Sequence, residues 1–293
     1  MGEPLAEQFD DFVTDNQGYL DWLELSSDDP TTVRSSVEEA RLACRLLEAE
    51  IGPQSEVLEV GAGLGILSTF LSTKVARVVA LEPGGTGFQS REFLGRDHPA
   101  MARVAWSTSP AESFHDKPFS LIFSLNVVEH ISELEAAVAN LSRLLTPGGR
   151  MVHSCPNYTM PFEPHFGVPL IPGAPGRTAS LLPDSISRSD LWASLNFVTA
   201  AELRDLGSDA GLSVEFDEGV LADSLDRLVS DRDFGERHKV LHKVAKLLHP
   251  LGVVSLTRRL PAMWMTPMTV RMTAPAHPLS ESPERQTSEV QQN

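Results

Sequence analysis

Val57-Leu58-Glu59-Val60-Gly61-Ala62-Gly63-Leu64-Gly65 is a short apolar run, interrupted by one acid, that passes directly into three alternating glycines. Followed by a helical stretch over about 66–74, it reads as a buried strand, a tight turn and a helix. Glycine belongs in the turn because the backbone must take angles that side chains forbid, and because a ligand then approaches the main chain closely. A nucleotide-type ligand is implied. The spacing is G-x-G-x-G, with Ile66 standing where the dinucleotide fingerprint G-x-G-x-x-G has its third glycine. Glu59, two positions before Gly61, would repel a pyrophosphate and attract an ammonium.

Outward from this unit, short apolar runs alternate with helical stretches. Residues 55–60, 78–81, 104–106, 121–124 and 150–153 read as buried strands, and 66–74, 86–96 and 132–145 as helices between them. Strands buried on both faces and separated by helices imply a doubly wound, mostly parallel sheet. Upstream, Thr32 opens a helix with Val33, Val37, Ala40, Cys44 and Leu47 on one face, ended by Gly52-Pro53. The helix over 132–145 is expected to stop at Thr146-Pro147-Gly148-Gly149. Prolines at 156, 161, 164, 169, 172, 175 and 183 make a regular helix over 156–198 unfavourable, and an ordered loop of this length is usually functional. Helical periodicity resumes at Thr199, and 213–216 and 267–273 complete seven candidate strands around a mostly helical insertion. Residues 1–30 form a candidate cap. The tail over 275–293 is Pro, Ser, Glu and Gln with little to bury, so disorder is expected.

The 293 residues hold 24 Lys+Arg against 40 Asp+Glu, a net charge of −16 that argues against binding DNA or RNA through phosphates. Two cysteines, Cys44 and Cys155, are too few for a disulfide framework and lie in no CxxC pair. No metal-ligand spacing is present, so no metal is expected. Neither a signal-like leader nor a run of about 18 apolar residues occurs, giving a soluble, cytoplasmic protein without a membrane span as the expectation.

An acid followed by G-x-G-x-G resembles the first motif of class I S-adenosylmethionine-dependent methyltransferases, and further stations fall in order over about 50–220. Glu82, at the end of the 78–81 strand, resembles the acid that holds ribose hydroxyls, and lies 82 − 61 = 21 residues past Gly61. The segment over 119–130, with Asn126 and His130, resembles the fourth-strand motif, and 144–150 the turn before strand five. The resemblance implies an α/β fold: a doubly wound, mostly parallel seven-stranded sheet with an N-terminal helical cap (1–30) and a helical insertion near the C-terminus (223–262). Residues 31–274 would be the methyltransferase domain, and 156–198 its substrate loop. S-adenosyl-L-methionine is the implied cofactor, with Glu59, Gly61, Gly63, Gly65, Glu82, Glu112, Asn126 and His130 as the implied binding residues. One station departs: Pro110 stands where relatives carry an acid for the adenine amino group, which leaves Glu112, Ser109 or the main chain to take over.

Methyl transfer to a hydroxyl usually needs a base, and His suits that role near neutral pH. His165 in the Pro-rich loop, flanked by Glu163 and with Tyr158 nearby, is the favoured base. His130 is read as shaping the cofactor pocket, His153 as a residue at the sheet's ligand-collecting edge, and His115 as solvent-facing. Arg177, Arg188 and Trp192 are candidates either to meet an acceptor or to hold the loop. The leucines of 223–249 are read first as ordinary packing, with an apolar cover or a homodimer face beside it. The expected partner is a small-molecule or glycan acceptor. Two rival functions are a non-catalytic S-adenosylmethionine-binding protein and an NAD-dependent oxidoreductase.

Overall fold

Nine strands occur among the described residues: β1 (Glu56–Val60), β2 (Arg77–Leu81), β3 (Val104–Ser107), β4 (Phe119–Leu125), β5 (Leu145–Cys155), β6 (Phe162–Glu163), β7 (Val168–Pro169), β8 (Ser213–Phe216) and β9 (Met268–Thr273). The computed structural model describes residues 2–27, 30–83, 98–230, 235 and 239–276. Seven strands form one sheet in the order β3-β2-β1-β4-β5-β9-β8, and β6 and β7 form a separate hairpin. The first five are parallel; β9 runs antiparallel to β5 and β8 antiparallel to β9. The seven-stranded, mostly parallel sheet read from the sequence is therefore present.

Both faces of the sheet are covered, which is why the strands read as continuous apolar runs. Successive β1 side chains alternate between faces. Val57 joins a core with Phe9, Leu23, Cys44, Leu47 and Phe70, supplied by α1 (Leu5–Asp15), α2 (Gln17–Ser26), α3 (Pro30–Leu47) and α4 (Ile66–Leu71). Leu58 joins the opposite core with Leu141, Leu203, Ile122 and Met272, where α5 (Leu134–Arg143) and α8 (Ala200–Asp209) supply the helices. The residues read as a cap thus form two helices seated on α3, with Phe9 edge-on to Phe70 at 5.3 Å between ring centroids.

Two expectations need correction. The helix ends at Arg143, and Thr146-Pro147-Gly148-Gly149 lies inside the first turn of β5 as a bulge opposite β4, not at the helix end. A Cβ at Gly149 would stand 2.9 Å from the Thr146 carbonyl oxygen and 3.1 Å from that of Phe119, so the glycine lets the bulge close on β4. The proline-rich segment also holds two short helices, α6 (Asp184–Ser187) and α7 (Asp190–Ser194), beside the β6–β7 hairpin. Pro175 and Pro183 sit at helix starts, where a missing N–H costs nothing, and Pro169 ends the short edge strand β7. The expected helix over 86–96 and the tail beyond Ala276 lie outside the described residues.

The 156–198 segment carries its own small core of Tyr158, Leu170, Trp192 and Leu195. Trp192 packs against Phe166 and Phe197, so it holds the loop, and Arg188 is exposed and paired with Asp184 at 3.2 Å. Asn157 ties this segment to the body. Its fully buried side chain donates to the carbonyls of Met263 and Met265 at 2.8 and 3.0 Å and accepts from the N–H groups of Thr159 and Ala200, both at 3.1 Å. Truncation would leave the buried Ala200 N–H and part-buried backbone groups of two further segments without these bonds, the buried one costing about 1–3 kcal/mol and the others less. Asn157→Ala is therefore expected to lower unfolding free energy by about 2–4 kcal/mol in urea titration; a loss under about 0.5 kcal/mol would mean that water replaces the amide.

Candidate active site

The glycine loop leaves β1 at the carboxyl edge of the sheet and is wedged between neighbours on both sides. Gly61 and Ala62 donate to the Leu81 carbonyl at the end of β2, at 2.8 and 3.1 Å. A Cβ on Gly61 would strike the Val127 side chain, and one on Gly65 would strike Met101 and lie 2.6 Å from the Trp106 ring. Gly63, at φ +53°, has nothing within 4 Å of the place a Cβ would take. The first and third glycines thus serve packing, whereas the second leaves room over the loop for a ligand to approach the main chain.

Glu82 follows β2 and accepts a hydrogen bond from the Gly63 N–H at 2.8 Å. A carboxylate accepts several hydrogen bonds, so this contact places it at the loop while keeping acceptor capacity for vicinal hydroxyls. Glu59 is directed by strand alternation toward α4, where its carboxyl accepts from the Ser68 hydroxyl at 2.5 Å. Burial pushes its pKa up to about 8, with the Ser68 hydrogen bond opposing and the nearby Glu82 charge adding. The acid read as an attractor of ammonium is therefore turned toward Ser68, in surroundings that favour its neutral form.

A cleft of about 2460 Å³ runs from this loop past Glu82 and the end of β4 to the proline-rich segment. Asn126, at φ +51°, Glu112 beside Pro110, and His130 line it. An asparagine tolerates that backbone conformation better than most residues. All eight residues read as cofactor-binding thus border one cleft.

His130 and His165 also line this cleft and belong to a cluster of ionisable groups. Glu163 on β6 is fully buried and accepts from the Phe166 N–H at 2.7 Å, the His165 N–H at 3.1 Å and the Tyr158 hydroxyl at 3.3 Å. The same carboxylate lies 2.6 Å from Nδ1 of His165. Burial opposes the charge on His165, but Glu163 outweighs it and raises the imidazole pKa; conversely His165 overcomes burial and lowers that of Glu163. Burial and the adjacent carboxylate push the Tyr158 phenol well up, so it stays a neutral donor. The three residues read as catalytic are brought together.

Glu129 was not singled out in the sequence. It sits in the single turn Val128–His130 after β4, is fully buried, and neither carboxylate oxygen has a hydrogen-bond partner. Burial raises its pKa to about 7. Its Oε1 is 3.9 Å from Nε2 of both His130 and His165. His130 shares a 2.8 Å hydrogen bond through Nδ1 with Ser194, and burial first, then the His165 charge, lowers its pKa to about 4. Donor atoms of Glu129, His130 and His165 all lie within 4.8 Å of one another, a spacing that a metal ion could bridge. Ligand spacing in the sequence could not reveal this set, because His165 arrives from a separate loop. His153, by contrast, is a core residue: it is buried on β5, hydrogen-bonded to Ser124 at 2.8 Å, and its pKa is lowered to about 4 by burial. His115 is exposed.

A family model described as a methyltransferase domain matches residues 35–215. The chain belongs to that family. It is an S-adenosylmethionine-dependent methyltransferase, with the seven-stranded fold of that class. An uncharacterized protein of Mycobacterium tuberculosis, Rv1509, is 33% identical over 229 residues, 74% of this chain and 78% of that one. A ubiquinone biosynthesis O-methyltransferase of Rhizobium rhizogenes is 28% identical over 106 residues, covering 36% of this methyltransferase and 42% of the relative. Among solved structures, a S-adenosylmethionine-dependent methyltransferase from Mesorhizobium loti superposes with a TM-score of 0.50 at 14% identity, over 80% of this chain and 95% of that one. The [4+2]-cyclase SpnF does so with a TM-score of 0.51 at 15% identity, over 81% and 82%. Both likenesses concern the fold, which carries more than one chemistry.

Two outcomes follow from this geometry. Glu82→Ala should weaken S-adenosylmethionine binding at least about tenfold by calorimetry, since it removes a charged acceptor from the loop; an unchanged affinity would take Glu82 out of the cofactor site. For Glu59, the folded-state pKa of about 8 lies above the ordinary 4.5, so the stability it contributes is complete below pH 4.5 and is lost as pH rises through about 8. Glu59→Gln should flatten that fall in the denaturation midpoint of cofactor-free protein, whereas an unaltered slope would mean the buried carboxyl is ionised.

Proposed function

We propose that this methyltransferase transfers a methyl group to a hydroxyl of a small-molecule or glycan acceptor, with His165 as the general base. The observation that carries the reading is the 2.6 Å pair of the buried Glu163 with His165, which lines the same cleft as the glycine loop. The cradle left open over Gly63, beside the carboxyl of Glu82, suits the ribose end of the cofactor. S-adenosylmethionine supplies an already activated methyl on a sulfonium, so the protein has chiefly to align the acceptor and remove its proton.

Glu163 accepts from Nδ1–H and so selects the His165 tautomer whose Nε2 carries the lone pair. Nε2 takes the hydroxyl proton as the oxygen–methyl bond forms and the carbon–sulfur bond breaks. The products are a methyl ether, S-adenosylhomocysteine and an imidazolium. Glu129, 3.9 Å from Nε2, stabilises that cation, and the carboxylate of Glu163 does so from the other side. Relatives named as ubiquinone O-methyltransferases are consistent with a hydroxyl acceptor, although this chain spans under half their length.

His165→Ala should lower turnover at least about a hundredfold with cofactor affinity held within about twofold, as expected for loss of a general base. Turnover within about threefold of the parent would remove His165 from the reaction. The same assay after exhaustive chelation separates acid–base from metal chemistry. Retained activity keeps the proton on His165, whereas loss reversed by a divalent ion would transfer the role to a cation bridging Glu129, His130 and His165.

A further inference from the structure

Charge is unevenly distributed along this acidic chain. From residue 239 to 276 there is no Asp or Glu, yet Lys239, Lys243, Lys246, Arg258, Arg259 and Arg271 fall there, in a protein of net charge −16. Arg271 is engaged with Asp217 and Glu50 in the sheet, and Arg258 with Asp223 and Asp226. Lys239, Lys243, Lys246 and Arg259 are exposed.

The same stretch is apolar on its outer surface. It forms α10 (Lys239–Leu248), a turn over His249–Leu251 and α11 (Val253–Thr257). Ala245 and Val254 are buried, as is Leu228 of the preceding α9 (Val220–Ser230). Val244, Leu247, Leu251, Leu256, Leu260 and Trp264 are exposed by 39–69%, six of the eight large apolar side chains so exposed among the described residues. Val244, Leu247 and Leu251 recur at steps of three and four and therefore share a face. Lys239, Lys243 and Lys246 recur at steps of four and three, along the neighbouring stripe. The reading of 223–249 as ordinary packing is thus only half right: one side packs, while the other presents apolar groups edged by lysine.

Such clustering on a monomeric surface marks an interaction site. Two helices with Leu247 and Leu256 outward, lysines alongside and the exposed Trp264 a few residues on have the make-up of a segment that lies in a membrane interface, rather than one that crosses it. We propose that the outer face of α10, the His249–Leu251 turn and α11 docks on an anionic lipid bilayer. Charge complementarity selects this occupant. The acidic remainder of the protein is repelled by an anionic surface, so the cationic face is the one presented to it. A second copy related by a two-fold axis would instead set the lysine edges against one another. Leu221 and Leu225 of α9 and Leu241 of α10 also line the cleft, so a docked molecule would hold that end of the cleft close to the lipid. The surface itself stands independently of the hydroxyl-transfer reading, because Val244, Lys243, Lys246 and Leu247 lie outside the cleft.

The test is co-sedimentation of the full chain with phosphatidylcholine vesicles, with and without phosphatidylglycerol, at low and raised salt. Binding is expected to require phosphatidylglycerol and to weaken as salt screens it. Lys243→Glu/Lys246→Glu should weaken it at least about tenfold and Val244→Glu/Leu247→Glu should abolish it, with calorimetric affinity for S-adenosylmethionine unchanged in both. No sedimentation with phosphatidylglycerol vesicles, equal binding to phosphatidylcholine alone, or insensitivity to both double variants would each overturn the proposal. So would light scattering that finds a wild-type dimer dissolved by Leu247→Glu and no vesicle binding, which would assign the face to a second copy.

Discussion

The wedging of the glycine loop is the constraint on which this molecule turns. Gly61 lies against Val127 beyond β4, and Gly65 against Met101 and the Trp106 ring beside β3. A Cβ at either position would have to displace those side chains, and both glycines also take a positive φ that side chains disfavour. Interiors packed to crystal-like density do not accommodate such displacement cheaply. Because the wedge holds, the ends of β1, β2 and β4 stay close together, and Glu82 reaches the Gly63 N–H. The cleft then opens at the carboxyl edge of the sheet, as ligand sites in open α/β sheets do.

The same cleft is also lined by a loop that orders itself differently. Its centre is a buried carboxylate, Glu163, compensated by two backbone N–H groups, a phenol and an imidazole. An uncompensated charge there would be costly, so the loop geometry and the orientation of His165 are one requirement. Asn157 makes the corresponding tie to the body by joining the loop to α8 and to the chain before β9. Glu129 lacks such compensation, and its pKa rises toward neutrality in consequence. Two buried glutamates beside one imidazole are therefore shifted in opposite directions: burial dominates for Glu129, whereas His165 and two backbone N–H groups overcome it for Glu163.

How far the sequence is legible follows the range of the interaction that decides each feature. Strand and helix placement rests on local periodicity, and the runs at 55–60, 121–124 and 213–216 form strands. The Thr146–Gly149 bulge departs because its shape answers to the Phe119 carbonyl on another strand. His153 looks like an edge residue from its position, yet pairing with Ser124 makes it core. The outer face of α10 escapes detection for a related reason: a helical apolar pattern does not say which residues become covered, and Val244 and Leu247 stay 45% and 68% exposed.

By itself the sequence determined the parallel sheet, the glycine loop with its acid, and the closeness of Glu163 to His165, since period, turn chemistry and short spacing are local properties. Only the tertiary structure decided that Glu59 turns inward to Ser68, and that Glu129 from one strand end meets His165 from a distant loop. It also decided that a lysine-edged apolar face remains uncovered. Each of these depends on which surfaces are removed from water together, and burial of that kind is set by how elements pack rather than by any one of them.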